Sequence, residues 1–289
     1  MTRIAVVGAG LMGAGLSRLF RSVGWSVSVY DSNPQALAAL KDVRHAASLA
    51  EMAQGATFVI EAASERLDVK HAIFAELAQV TDATTILASN SSVIPVADIT
   101  ADLDDDSASR TIGMHFWNPP DIIPLVEVIA GPRSDPDKIE RAMAMLRAAG
   151  KEPIHVRRDT VPGNRMQHAL WREAMALVDE GVCTPQDVDT IVRRSFGLRL
   201  PVLGPLETAD MVGLTLTSQI HEVVLQTLSN RTGPSAGLTD RVEQGRLGAL
   251  TGEGFLTGWT PEKLAETRRR VSEHLAVILA PRSTSPRRD

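Results

Sequence analysis

At 289 residues and a formal net charge of −5, the chain is long enough for two domains and a sizeable core. Its 30 lysines and arginines stand against 35 acids without a long basic run, which argues against nucleic acid and anionic membranes as partners. The single cysteine, Cys183, rules out an internal disulfide framework, fits a reducing compartment and reads as a packing residue.

The first predicted strand, Arg3 to Val7, runs straight into Gly8-Ala9-Gly10-Leu11-Met12-Gly13. A helix is expected from Ala14 to Val23 and a second strand from Trp25 to Tyr30, ending in Asp31. A strand, Gly-x-Gly-x-x-Gly, helix, strand and acid in this order form a dinucleotide fingerprint. Gly8 permits the tight turn, Gly10 lets backbone amides reach a pyrophosphate, and Gly13 lets the helix pack close to the strand. The helix N-terminus offers free amides and a positive dipole end, and Leu11 and Met12 of the loop before it are counted among the cofactor contacts. Asp31 can accept from both ribose hydroxyls and would repel a 2′-phosphate, so NAD is favoured over NADP. The strand begins too near Met1 for a signal peptide, and no apolar stretch is long enough for a bilayer. A cytoplasmic location is therefore expected.

Further alternation follows. Helices are predicted over Pro34–Leu40, Ser48–Gln54 and Val69–Val80, and strands over Thr57–Glu61, Thr84–Ala88, Arg110–Met114, Leu125–Ile129 and Pro153–Val156. This spacing implies an α/β fold with a mostly parallel, doubly wound sheet. From Asn164 the pattern is helical: Asn164–Gly181, a helix capped by Thr184 and running to Arg194, Leu214–Leu228 and Pro261–Leu279. The expected organisation is a Rossmann domain over 1–158, an all-helical domain over 159–280 and a disordered Pro/Ser/Arg-rich tail over 281–289.

The chemistry is expected at the carboxyl ends of the strands. His115 lies just past one predicted strand and Glu127 within the next, so the two can form a base and its orienter across adjacent strands. The competing reading is a core histidine bonded to a carbonyl, with Glu127 in solvent. Ser92, after Ser89-Asn90-Ser91, falls at the same rim as His115. Asn164 opens the first helix of the second half. No metal is called for.

These motifs resemble the L-3-hydroxyacyl-CoA dehydrogenase family over nearly the whole chain. The likeness rests on the glycine motif; on Glu61, Glu65 and Lys70 in the pattern Glu-x-x-x-Glu-x-x-x-x-Lys; and on Ser89-Asn90-Ser91-Ser92. It continues through His115-Phe116-Trp117-Asn118-Pro119, Leu125-Val126-Glu127-Val128, Asn164-Arg165 and Gly204-Pro205-Leu206-Glu207. The resemblance implies a Rossmann domain joined to a helical domain that forms a homodimer, with the active site in the cleft between them. It makes His115 the general base, Glu127 its partner, Ser92 a contact for the reacting oxygen or nicotinamide end, and Asn164 a holder of the substrate carbonyl. Glu65, Lys70 and Asn118 become cofactor contacts, although Glu65 and Lys70 alone also read as a solvated pair on a helix. Arg165 is a candidate for an acidic substrate group, though the matching family arginine is structural.

Departures from the family bear on substrate. Acyl-CoA members carry a long lysine-bearing hairpin after the second strand. Here about 25 residues separate Asp31 from Thr57, with only Lys41 and Arg44 as cations. CoA phosphates want cations or helix N-termini. The loop Val161-Pro162-Gly163-Asn164-Arg165 is shortened, and Leu250 and Thr257 stand where lysines are common. Asn118-Pro119-Pro120 with Ile122-Ile123-Pro124, and Gly204 to Thr208, are similar to the gulonate dehydrogenase (lambda-crystallin) and carnitine dehydrogenase branches. A small non-CoA β-hydroxy acid is therefore the expected substrate. A true 3-hydroxyacyl-CoA dehydrogenase with a reduced CoA site is the alternative. A third reading is a non-catalytic, crystallin-like NAD-binding protein, against which the presence of both His115 and Glu127 argues. The unrelated β-hydroxyacid dehydrogenases need a lysine early in the helical domain, and from Asn164 onward the only lysine is Lys263.

Overall fold

β-Branched and apolar residues dominate the central strands, as in Ile4–Val7 and Phe58–Ile60, because the sheet is covered on both faces there. The computed structural model describes residues 2–280; the predicted disordered tail, 281–289, lies outside the described residues. Eight strands form one sheet: β1 (Arg3–Val7), β2 (Ser26–Tyr30), β3 (Arg44–His45), β4 (Phe58–Glu61), β5 (Ile86–Ser89), β6 (Thr111–Phe116), β7 (Leu125–Ile129) and β8 (Glu152–Val156). Their order is β3-β2-β1-β4-β5-β6-β7-β8. All neighbours are parallel except β6 and β7, which pair antiparallel and set His115 opposite Glu127.

Eight helices accompany this sheet in chain order: α1 (Leu11–Ser22), α2 (Pro34–Ala38), α3 (Leu49–Ala53), α4 (Leu67–Val80), α5 (Val96–Ile99), α6 (Asp105–Ser109), α7 (Pro136–Ala148) and the start of α8 (Pro162–Asp179). Alternation along β1 shows how the core is divided. Ile4 and Val6 join Leu16, Leu19 and Phe20 of α1 and Ile139 and Leu146 of α7 on one face. Ala5 and Val7 join Met52 of α3 and Phe74 and Leu77 of α4 on the other. The sequence did not announce α7. Its Asp135 cap and Pro136 are good start signals, but they sit in a charged stretch. Helix α1 also starts three residues earlier than expected, because its first turn is the glycine motif itself.

The chain divides into two units after Asn164. The second contains most of α8, then α9 (Pro185–Arg194), α10 (Pro205–Val212), α11 (Leu214–Val224), α12 (Ala236–Glu243) and α13 (Pro261–Ile278). Helix α9 begins with a complete Thr184–Asp187 capping box, worth about 1 kcal/mol by the usual cost of losing such a cap. Tertiary ties include Glu173 accepting from Ser229 N, an Arg231–Asp179 ion pair, and the Arg241 guanidinium stacked 4.2 Å from the Phe255 ring centroid. Among the described residues of this unit, Ala176 and Val188 are the only buried hydrophobic side chains. Among the described residues, no helix is long and apolar enough to cross a membrane.

Candidate active site

Two clusters at the carboxyl ends of β1, β2, β4, β5 and β6 make up the site. In the first, Gly8 turns the chain with φ of +100°, a conformation that favours glycine. A Cβ on Gly13 would lie 1.9 Å from Gly8 O, so α1 reaches β1 only without one. Gly10 instead faces open space, which is the room a pyrophosphate needs beside the first-turn amides of Leu11, Met12 and Gly13. Leu11 is exposed and Met12 packs against the core.

Asp31 stands just past β2. Its Oδ2 accepts from Ala9 N at 2.6 Å and its Oδ1 from Asn33 N at 2.7 Å. Each oxygen keeps a further lone pair for a ribose hydroxyl. A cavity of about 580 Å³ opens beside it, lined by Gly8, Asp31, Ser32, Ala63, Val69 and Ile73 among others. The open space at Gly10, the fixed carboxylate and this cavity fit the adenosine half of NAD.

In the second cluster His115 Nδ1 lies 2.8 Å from Glu127 Oε2, and its Nε2 lies 3.2 Å from Ser92 Oγ. Both His115 and Glu127 are buried, so the reading of Glu127 as solvated is excluded. Glu127 also accepts from Gly163 N at 2.8 Å and from Trp117 Nε1 at 3.3 Å. Burial alone would raise the carboxyl, but the bond with His115, the Gly163 amide and the Trp117 donor together hold it below its ordinary 4.5. Asn164, the third residue of α8, donates from Nδ2 to Ser92 O at 2.9 Å.

That depression gives a pH signature. A carboxyl whose folded pKa lies below its unfolded value contributes stability above about 4.5 and loses it as pH falls through the folded pKa. The difference in thermal stability between the wild type and Glu127→Gln is therefore expected to be constant above pH ~5.5 and to shrink at lower pH. A difference that grows on acidification would contradict the assignment.

Lys70 is not part of a solvated pair. Its side chain is 1 % exposed, with Nζ at 2.8 and 2.9 Å from the two oxygens of buried Glu61 and 3.3 Å from Glu65 Oε2. Glu65 precedes α4 and meets the loop after β5: its Oε1 accepts from Ser91 Oγ and, at 2.8 Å, from Ser92 N. Asn118 follows Trp117 just beyond β6, and its peptide bond to Pro119 is cis. Arg165 is exposed on α8 and is the first residue of the second unit.

Three contributors fall within the sequence motifs but receive no role there: Glu61, Trp117 and Gly163. Trp117 was open to detection, since two residues past His115 along an extended chain its side chain falls on the same side. The Gly163 contact is a backbone N–H and carries no side-chain signal.

A glycine loop with its acid and a His–Glu–Ser cluster, set on strands of the same sheet, define a nucleotide-dependent dehydrogenase. The 3-hydroxyacyl-CoA dehydrogenase NAD binding domain matches residues 3–43 and 34–160, and the family's C-terminal domain matches residues 162–258. The chain belongs to the 3-hydroxyacyl-CoA dehydrogenase family, and is an NAD-dependent oxidoreductase. It is 31% identical to 5-formyl-3-hydroxy-2-methylpyridine 4-carboxylate 5-dehydrogenase of Mesorhizobium japonicum, over 95% of this chain and 96% of that protein. It is 35% identical to L-carnitine dehydrogenase of Streptomyces griseus, over 73% and 70% respectively. A solved structure of 5-formyl-3-hydroxy-2-methylpyridine 4-carboxylic acid 5-dehydrogenase, described as an NAD+-dependent dismutase, superposes with a TM-score of 0.90 at 29% identity, covering 96% of this chain and 97% of that one.

Proposed function

We propose that the chain oxidises the hydroxyl-bearing carbon of a small free hydroxy acid, with His115 as general base. The observation that carries this reading is the geometry of one imidazole. Nδ1 is engaged by Glu127 at 2.8 Å, which leaves Nε2, beside Ser92 Oγ, to take a proton. NAD, when bound, supplies the acceptor for the hydride. His115 takes the hydroxyl proton as the carbonyl forms, and the charged Glu127 stabilises the imidazolium. Ser92 donates to the reacting oxygen. Asn164 has a second N–H and a carbonyl oxygen left to orient the substrate. Glu65 and Asn118 serve the nicotinamide end, and Lys70 contributes through the carboxylates that it holds.

Two features favour a free acid over a CoA ester. Between β2 and β4 the chain builds only the short α2, β3 and α3, which leaves no hairpin to hold CoA phosphates. The named relatives at 31% and 35% identity act on a pyridine carboxylate and on carnitine. The same base would also serve the hydrate of an aldehyde, whose C–OH carbon loses hydride in the same way.

The test is NADH formation on three matched panels: 3-hydroxyacyl-CoA esters, free 3-hydroxy acids including carnitine and sugar acids, and aromatic hydroxymethyl or formyl carboxylates. Turnover confined to the CoA esters would overturn the free-acid reading. The helical unit is further proposed to pair with a second copy of the chain, since its own fold leaves most of its apolar side chains uncovered.

A further inference from the structure

The buried Glu61–Lys70 pair meets neither the reacting oxygen nor His115, yet it lies one contact away from the loop that carries Ser92. Lys70 has three N–H donors and faces three carboxylate oxygens, both from Glu61 and one from Glu65. Its ammonium is thereby saturated, and at 1 % exposure it cannot reach a cofactor. Glu61 is held in turn by Ser89 Oγ at 2.8 Å and Ala63 N at 2.8 Å. The far oxygen of Glu65 takes Ser91 Oγ, Ser92 N and Val93 N. Burial pushes Glu65 up, but the Ser91 bond, the Lys70 charge and the Ser92 amide hold it below the ordinary carboxylate range and so keep it an acceptor. Along the loop, Ser89 rests on Glu61, Asn90 Oδ1 accepts from Phe116 N, and Ser91 and Ser92 rest on Glu65.

We propose that Glu61 and Lys70 are positioning residues that fix Glu65 as a clamp on the Ser92 amide, and so set the Ser92 hydroxyl opposite His115. This rests on the reading of Ser92 and His115 given above. Asn164 holds the carbonyl side of Ser92 and Glu65 its amide side, so the residue is gripped at both ends. A buried pair is replaced safely only as a pair, because removing one partner leaves the other charge uncompensated.

The test is the double variant Glu61→Gln/Lys70→Met, compared with the wild type and with His115→Gln. The expected result is a 10- to 100-fold loss of kcat with NADH affinity, read by fluorescence titration, within threefold of wild type. Amide hydrogen exchange at Ser92 and Val93 is expected to accelerate at least tenfold. A tenfold or greater loss of NADH affinity at unchanged kcat would make Lys70 a cofactor ligand and overturn the proposal. Unchanged kcat and exchange would also overturn it. Should the double variant fail to fold, Glu61→Asp, which keeps the buried charge paired but draws the carboxylate back from Lys70 by one methylene, is read by the same split. If His115→Gln retains turnover, the reading of the site itself fails. If His115→Gln is inactive while the pair variant turns over normally, only the clamp fails.

Discussion

His115→Gln is expected to lower kcat by roughly 10³-fold, the middle of the range for loss of a general base. Glutamine nearly matches the imidazole in size and can still donate toward Glu127, so the buried carboxylate keeps a partner and the fold is expected to survive. NADH affinity should stay within about twofold, because the glycine loop and Asp31 lie at other strand ends. The split between turnover and cofactor binding is the informative quantity. Wild-type turnover in this variant would remove His115 from the chemistry, while a parallel loss of NADH affinity would mean that the substitution has disturbed the sheet edge.

The second large effect concerns assembly. In α11, Leu216, Ile220 and Val223 fall on one helical face and are 50%, 45% and 67% exposed. Leu206 of α10 and Leu250 are 80% and 87% exposed. A unit with so little core of its own cannot offset the entropy of ordering its helices. A second copy covering these faces would supply the missing burial, as obligate interfaces do. The wild type is therefore expected to sediment at twice 31.1 kDa. Ile220→Glu should lower that mass or unfold the helical unit while the first unit keeps its melting transition. A buried unpaired charge costs several kcal/mol, and two-fold symmetry applies it twice. A wild type that runs at the single-chain mass, at micromolar concentration and with full helix content, would refute the pairing.

The cofactor half was legible because its signals are local. β1, the glycine loop, β2 and Asp31 are adjacent in sequence, and their spacing alone carries the fingerprint. The His115–Glu127 pair was legible because β6 and β7 are neighbouring strands whose register follows from a short connection. The burial of Lys70 was not, since charged residues at helix spacing also read as solvated. What buries it is Glu61 on a strand and Glu65 before the helix, neither of which announces its direction. Helix α7 was missed for a related reason: Asp137, Lys138, Glu140 and Arg141 mask the apolar face of Ile139, Ala142, Met143 and Leu146. In the second unit periodicity shows which helix faces are apolar, but not what covers them.

With NAD bound as proposed, Asp31 would serve two roles at once, and this constrains how cofactor choice can be re-engineered. The carboxylate that would meet the ribose also receives Ala9 N at 2.6 Å, so it helps to shape the loop that cradles the phosphates. Exchanging it for a basic residue, or for a neutral one without an acceptor oxygen, would unfasten that loop in the same step. A residue at this position that drops the charge to admit a 2′-phosphate must therefore keep an oxygen for Ala9 N, which leaves Asn and Ser as the exchanges that separate cofactor choice from loop shape.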